Sequence, residues 1–246
     1  MGKSQFQQRF VAFVDILGFS DIVKRMAAEE HLFTTVRDAL QKLSSQSRDL
    51  TQYRRKKRSE KRSDIRMTAF SDCYVLSESS SFSAWRVLAA VQKLGADFLT
   101  EGILTRGAVL LGEAYHEGRV LFGQGVVDAY KSESEVAKYP RILVSAEVRK
   151  EVWGYHTGPT WNRGLLKPDV DGLWFVNLLT PSLSKWWLLA NPETPPVRSH
   201  LKQVREALID AWKRAKGNPA HESKVWWLIH RFNRVAEEAG LDEIKR

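Results

Sequence analysis

The 246-residue chain contains one cysteine, Cys73, so no internal disulfide framework can hold it together. It also lacks any uninterrupted apolar stretch long enough to span a bilayer. Met1 to Gln8 is polar, and the apolar run that follows is broken at Asp15, which is not the pattern of a secretory signal. These absences make a cytoplasmic protein, with no membrane partner, the simplest expectation. The histidines form no zinc-type pattern; His221 and His230 stand without metal-ligand company and read as structural or exposed. Cys73 has no histidine near it in sequence and reads as an inert small residue. Acidic residues are the minority, and the formal net charge is +9. Such a balance attracts either nucleic acid or a small polyanionic substrate. Nine of the 38 Lys and Arg residues lie between Arg48 and Arg66, so much of the excess is a local patch. Its centre, YRRKKRSEKRS from Tyr53 to Ser63, has no apolar face. It reads as a solvated loop or frayed helix end, with a phosphate or nucleic-acid contact as the alternative.

What is present suffices for one sizeable core, at 43% hydrophobic and 27% charged residues. The informative stretch is Phe10 to Asp21, FVAFVDILGFSD. An apolar run stops at Asp15 and Gly18, Phe19 and Ser20 follow, as in a buried strand entering a tight turn that opens a helix. A carboxylate at such a strand end can hold a cation or simply accept a loop N–H. The glycine turn and helix N-terminus can offer N–H groups to phosphate. A second stretch, IRMTAFSDCYVLS from Ile65 to Ser77, flanks Ser71-Asp72 with two β-prone runs and suits a hairpin with an acid at its bend. If that hairpin lies beside the first strand, Asp15 and Asp72 converge. Their repulsion would then favour a divalent cation between them, of the Mg²⁺ or Mn²⁺ kind that binds together with substrate phosphates.

Helical spacing predicts a helix after Ser20, a second from about Glu29 to Leu50, and an amphipathic helix from about Ser83 to Glu101. A strand from Leu104 to Tyr115 turns at Glu117-Gly118, and a helix is expected from about Gly123 to Lys138. Pro140 leads into the short strand Arg141 to Val144, and Ala146 to Trp153 reads as helix. Thr160 to Leu166 and Leu173 to Leu179 read as two further strands joined by a turn from Lys167 to Gly172. The order βααββαβ predicts an α+β fold, a mixed sheet covered by helices. After residue 190 the linker from Asn191 to Pro196 leads to a helical hairpin, about Val197 to Lys216 and Pro219 to Ala239. The expected division is therefore a domain over 1–190 and a hairpin over 191–246, packed on the core or on a partner subunit. Trp226 and Trp227 read as core anchors or as interface residues.

The FxDIxGF strand end, the SDC hairpin some fifty-five residues on, and LTRGAVLLGEAYHEGRVLFGQGVVDAYKSESEVAKYPRI from Leu104 to Ile142 together resemble the class III nucleotidyl cyclases. The run AYxxE followed by YPRI is most similar to the pyrimidine cyclases of bacterial Pycsar anti-phage systems. The resemblance spans about residues 8 to 180. It implies a ferredoxin-like, mainly antiparallel core and a homodimer with composite active sites, metal residues from one chain and base-reading residues from the other. It implies two Mg²⁺ or Mn²⁺ ions on Asp15, Asp72 and the Ile16 carbonyl. Gly18, Phe19 and Ser20, with Lys167, would take the triphosphate. On the helix near Gly123 the family's Asn and Arg correspond to Val127 and Lys131, so Lys131 is the expected transition-state cation. Arg106, Arg141, Tyr130 and Glu133 are the further polar candidates, with an Arg141–Glu133 ion pair as the structural alternative. The adenine-reading Lys and Asp of adenylate cyclases correspond to Thr68 and, within a residue or so, Val120. Their loss favours a pyrimidine read by Thr68. The implied reaction is UTP to 3′,5′-cyclic UMP and diphosphate. A cytidylate cyclase, an inactive nucleotide- or RNA-binding module and a palm-type nucleotidyltransferase are the alternatives. Nucleic acid is not the expected partner.

Overall fold

The structure, a computed structural model, describes residues 5–52, 65–154, 162–179 and 197–246, the side chains of 42–52, 154, 162 and 163 excepted. The basic segment 54–62, the linker 191–196 and the start of the strand expected at Thr160 lie outside the described residues.

Strand β1 (Gln7–Ile16) is the hub. It pairs antiparallel with β3 (Cys73–Ser79) on one side and with β4 (Thr105–Glu117) on the other. Strand β2 (Arg66–Phe70) adds to β3 through the hairpin bend at Ser71-Asp72. Between β1 and β2 run helices α1 (Phe19–Met26) and α2 (Glu30–Gln52), and α3 (Trp85–Thr100) links β3 to β4. The spatial order β2-β3-β1-β4, all antiparallel, is the twice-split βαβ of a ferredoxin-like fold. Beyond β4, strand β6 (Ile142–Val144) joins in parallel, and β8 (Trp174–Val176) and β7 (Leu166–Pro168) extend the sheet antiparallel. The fold is thus α+β with a mixed, mainly antiparallel sheet, as the sequence predicts.

Strand alternation sorts the side chains onto two faces. Phe10, Ala12, Val14 and Ile16 of β1, with Tyr74 and Leu76 of β3, enter the main core beneath α2 and α3. Val11, Phe13 and Val75 point the other way, toward α4 (Gln124–Lys131), which packs Ala129 and Val126 against them. Two glycines let α4 lie so close. A β-carbon on Gly112 of β4 would fall 2.6 Å from the Cα of Gly125. The helices otherwise gather on the first face, as expected.

Three elements differ from the sequence reading. The helix expected to Lys138 ends as α-helix at Lys131 and continues as one π-helical turn, Ser132–Val136, closed by the Ala137 N–H on the Ser132 carbonyl at 3.0 Å. Beyond Gly118 the chain forms a further strand, β5 (Val120–Phe122), which pairs with the far end of β4 to make an arm. Over the described part of the expected strand at Thr160–Leu166, residues Asn162–Leu165 form a short helix (α6) and only Leu166–Pro168 is strand. A three-residue edge strand is too short for β-propensity to signal it. Helix α5 (Ala146–Gly154) lies where expected.

The C-terminal hairpin is α7 (Val197–Ala215) and α8 (Pro219–Glu238), with Asn218 capping α8 through its side-chain oxygen on the His221 N–H at 3.3 Å. Leu201, Val204, Leu208, Leu228, Ile229 and Phe232 join the same core as α3. Trp226 packs on Trp212 at 5.3 Å between ring centroids, joining the two helices of the hairpin, and Trp227 stacks on Tyr139 at 5.4 Å, which ties the hairpin to the rest of its own chain. A buried ion cluster completes the joint. Arg141 pairs with Asp169 and with Asp171, and Arg231 of α8 also pairs with Asp169 while lying 3.4 Å from the Trp227 ring centroid. Asp169→Ala would leave Arg231 without its carboxylate and Arg141 with Asp171 alone, around a 2% exposed position, and is expected to cost about 3–5 kcal/mol by chemical denaturation. Asp171→Ala, at a 42% exposed side chain, is expected to cost about 1 kcal/mol or less in the same measurement.

Candidate active site

The end of β1 is where the charged side chains meet. In the register, Asp15 stands opposite Cys73 on β3 and opposite Arg106 on β4. The next residue locks the hairpin bend in place, because the Ile16 N–H donates to the Asp72 carbonyl at 2.8 Å. Ser71, the first of the two bend residues, takes φ +54°, at a position where two-residue hairpin turns favour glycine. A residue held in left-handed backbone marks strain accepted at a site. Asp72, the next residue of the bend, lies close enough for its charge to act on Asp15.

The electrostatics follow from that convergence. Burial first, and then the charge of Asp72, push the Asp15 carboxyl up from the ordinary aspartate range, against the lowering effect of Arg106 and of Lys224 on α8. Arg106 does not offset Asp15 freely. Its Nη2 is 4.0 Å from Asp15 Oδ2, while its Nε and Nη2 both lie 2.5 Å from Glu133 Oε1. Glu133 is 3% exposed on the π turn, and burial holds its carboxyl above the usual range despite Arg106. A π turn carries one residue more per turn than an α-helix, and here it brings Glu133 inward over the sheet. The Cys73 thiol is pushed up by burial and by the same three carboxylates, and it donates to the Phe70 carbonyl at 3.2 Å. Both effects favour the thiol over the thiolate.

Beside the carboxylates, Gly18 sits in left-handed backbone at φ 71° and ψ 27° and opens α1. Its carbonyl accepts from the Asp21 and Ile22 N–H groups, and the Leu17 N–H is held by the Leu104 carbonyl at 2.9 Å. The N–H groups of Gly18, Phe19 and Ser20 are therefore the ones left at the helix start for an anion.

The remaining candidates divide. Thr68 lies on the same sheet face as Asp15, opposite Val75 in the β2–β3 register. Tyr130 of α4 sits edge-on to Phe13 at 5.4 Å between ring centroids. Lys131 ends α4 on its exposed side, one turn after the exposed Val127. Two residues are elsewhere. The Arg141 side chain is 2% exposed and engaged with Asp169 and Asp171, within the ion cluster. The expected Arg141–Glu133 pair does not form, since Glu133 is taken by Arg106. Lys167 lies on edge strand β7, four strand positions from β1, or about 19 Å at ~4.8 Å per step. Val120 is on the β5 arm and exposed. Sequence reasoning missed Lys224, whose proximity to Asp15 depends on how the hairpin docks, and the Arg106 pairing with Glu133.

The donor set suits a divalent cation held jointly with a phosphorylated ligand. Asp15 carries its charge half-sheltered beside Asp72, and Arg106 is already shared with Glu133. Among the described residues no group of three or more His, Cys, Asp or Glu side chains gathers as a self-sufficient metal site. Two carboxylates and a backbone carbonyl leave the remaining positions to substrate oxygens and water, the usual Mg²⁺ arrangement.

No family model and no curated protein matches the chain. Solved structures do. The catalytic core of a rhodopsin-guanylyl cyclase with converted specificity, in complex with ATPαS, is similar at 16% identity and TM-score 0.44, over 70% of this chain and 96% of that one. An adenylate/guanylate cyclase/hydrolase from Silicibacter pomeroyi is similar at 14% identity and TM-score 0.45, over 71% and 98%. The monomeric guanylyl cyclase domain of the RhoGC fusion protein from the aquatic fungus Blastocladiella emersonii is similar at 16% identity and TM-score 0.44, over 70% and 95%.

The raised Asp15 carboxyl has a sign that can be measured. A folded-state pKa above the unfolded value adds stability at low pH and loses it as pH rises through the folded value. Metal-free Asp15→Asn is therefore expected to melt above the wild type at pH 7, by roughly 2–4 °C for each kcal/mol relieved, with the gap closing on acidification toward pH ~4. Millimolar Mg²⁺ or Mn²⁺ is expected to raise the wild-type melting temperature and not that of Asp15→Asn. A wild type indifferent to both ions would count against the metal site.

Proposed function

We propose that this protein cyclises a pyrimidine nucleoside triphosphate, UTP before CTP, to the 3′,5′-cyclic monophosphate and diphosphate. The observation that carries the reading is the convergence of Asp15 and Asp72 beside the Gly18-opened helix. Two divalent ions bound there would lower the pKa of the substrate hydroxyl and spread the charge of the phosphates. Asp15, Asp72 and the Ile16 carbonyl hold that position. The N–H groups of Gly18, Phe19 and Ser20 bind the β- and γ-phosphate oxygens and fix the chain of phosphates along α1. The bond formed is from the ribose 3′ oxygen to the α-phosphorus; the bond broken joins that phosphorus to the α–β bridging oxygen, and the hydroxyl proton passes to solvent. Catalysis is then mostly positioning and charge stabilisation. Arg106, held by Glu133, keeps a fixed positive charge 4.0 Å from Asp15 and orients it.

A second copy of the chain completes the site. Lys131 and Lys167 are both exposed, and Lys167 lies four strand positions from the strand of Asp15. The open sheet face around α4 carries Tyr130, Val127 and the 79% exposed Phe70, which supports covering by a partner. A C₂ homodimer would bring Lys131, Lys167 and Thr68 of one chain to Asp15 and Asp72 of the other. The resemblance of the AYxxE and YPRI runs to Pycsar cyclases extends the proposal to a second-messenger role in anti-phage defence.

Incubation with all four triphosphates and Mn²⁺, read by mass spectrometry, is expected to give cyclic UMP as the main product. Asp15→Ala and Asp72→Ala are each expected to abolish it while remaining folded. Cyclic AMP or cyclic GMP as the main product would overturn the pyrimidine assignment, and binding without turnover would make the protein a nucleotide-binding module. Mixing inactive Asp15→Ala with inactive Lys131→Ala is expected to restore about a quarter of wild-type activity, because half of the dimers are mixed and half of their sites intact.

A further inference from the structure

One flank of α8 reaches the carboxylate end of the sheet. Val225, Leu228, Ile229 and Phe232 make the buried stripe of this helix that enters the core. Lys224, Trp227 and Arg231, spaced three and four residues apart, make the stripe beside it. Two of these three are fixed by contacts. Arg231 pairs with Asp169 and lies 5.8 Å from the Phe175 ring centroid. Trp227 meets Phe175 edge-on at 5.8 Å and stacks flat on Tyr139.

The strand registers identify the face that this stripe meets. Phe175 stands opposite Leu143, Leu143 opposite Ala108, and Ala108 opposite Phe13. Opposed residues share a face, and Phe13 shares its face with Asp15, two positions on. The next row runs from Asp15 through Arg106 toward Arg141, whose carbonyl accepts from the Gly107 N–H at 3.1 Å. The Arg141 guanidinium lies 6.0 Å from the Trp227 ring centroid. Trp227 therefore sits beside the Arg141 end of that row, two strand steps from β1, or about 10 Å at ~4.8 Å per step. Arg231 lies farther out, at the β7–β8 bend, so α8 runs inward toward its N-terminus, and Lys224 is one turn closer to Asp15. That turn rises about 5 Å, and the four-carbon stem of a lysine covers much of the rest. The charge of Lys224 does act on Asp15. Its side chain is half-buried, and no hydrogen bond or ion pair engages its ammonium among the described residues. Arg106, the other cation acting on Asp15, is committed to Glu133.

We infer that Lys224 is a phosphate-binding residue of the active site, supplied by the C-terminal hairpin of the same chain to the phosphates of a metal-bound nucleoside triphosphate. The inference rests on the proposed metal–triphosphate site for its ligand, and on the sheet registers and the α8 contacts for its placement. An uncommitted ammonium beside Asp15 and Asp72 opposes a bare metal ion and attracts one that arrives with a polyphosphate, because the phosphates bring more negative charge than the ion neutralises. Its three donors form charge-assisted hydrogen bonds to phosphate oxygens and read nothing of the base. The hairpin then contributes to the site as well as to the core, and Trp227 and Arg231 are what hold Lys224 at its place.

Titration calorimetry on the full chain tests it with two probes, Mn²⁺ alone and inorganic tripolyphosphate in saturating Mn²⁺. Lys224→Met keeps the length of the stem and removes the charge. It is expected to weaken tripolyphosphate about ten- to a hundredfold, and to bind Mn²⁺ alone at least as tightly as the wild type, since a neighbouring positive charge is gone. Lys224→Arg is expected to recover most of the phosphate affinity. Loss of both probes together, no change in either, an arginine variant as weak as the methionine one, or a wild type that binds no tripolyphosphate would overturn the assignment. Turnover separates it from the cyclase reading. A wild type that binds tripolyphosphate through Lys224 yet forms no cyclic product would remove the reaction and leave the phosphate site standing. Cyclic product from Lys224→Met at an unchanged KM for the triphosphate would remove Lys224 and leave the reaction.

Discussion

The like charges of Asp15 and Asp72 are the constraint around which this end of the molecule is arranged. Backbone pairing, not attraction between side chains, puts them together: β1 is clamped between β3 and β4, and the Ile16 N–H fastens the hairpin bend by the Asp72 carbonyl. Strand pairing distributed along ten residues of β1 can carry a local repulsion that a loop could relieve by moving. The surrounding groups answer the repulsion only in part. Arg106 leans on Glu133 more closely than on Asp15, and Lys224 acts from the C-terminal helix. The arrangement leaves an unbalanced negative charge beside a helix N-terminus, which is a physical reason for a cation and a polyphosphate to meet there.

Much of this was legible in the sequence wherever the signal was local. The apolar run broken at Asp15, with Gly18 three residues on, specifies a strand, a left-handed turn and a helix start within a dozen residues, and the structure has each. Ser71-Asp72 between two β-prone runs is a hairpin on length alone. Gly217-Asn218-Pro219 stops one helix and starts the next with a side-chain cap. The order of these pieces, with the long amphipathic α3, is enough for a twice-split βαβ sheet.

What stayed hidden depends on contacts between distant residues. Nothing near Arg106 in sequence announces Glu133, twenty-seven residues on, and the π turn that delivers it differs from an α-helix by a single residue per turn. Arg141 looked available because Asp169 and Asp171 read as turn residues; only the β7–β8 bend and α8 together enclose it. The helix Asn162–Leu165 replaces an expected strand because four residues carry too little periodicity to choose between the two. His116 sat in a run read simply as strand, and its contacts with Ser77 and Thr68 form only because β4 extends past the start of β1, as the Gln7–Ala114 pairing shows.

That extension joins the two halves of the site. β4 touches both: its first residues carry Arg106 beside Asp15, and its last carry His116 above Thr68. Between them, Gly112 admits α4 by lacking a side chain, and α4 continues into the π turn that returns Glu133 to Arg106. A shift of β4 by one residue would turn its side chains to the opposite faces. Arg106 and His116 would then leave the open face together, and the approach at Gly112 would be lost. The register of one strand therefore sets the charge beside the carboxylates, the seat of α4 and the orientation of the Thr68 hydroxyl at once. The Asp15 end and the Thr68 end of the open face are in this way tied to a single backbone alignment, although their side chains stand at opposite ends of the strand.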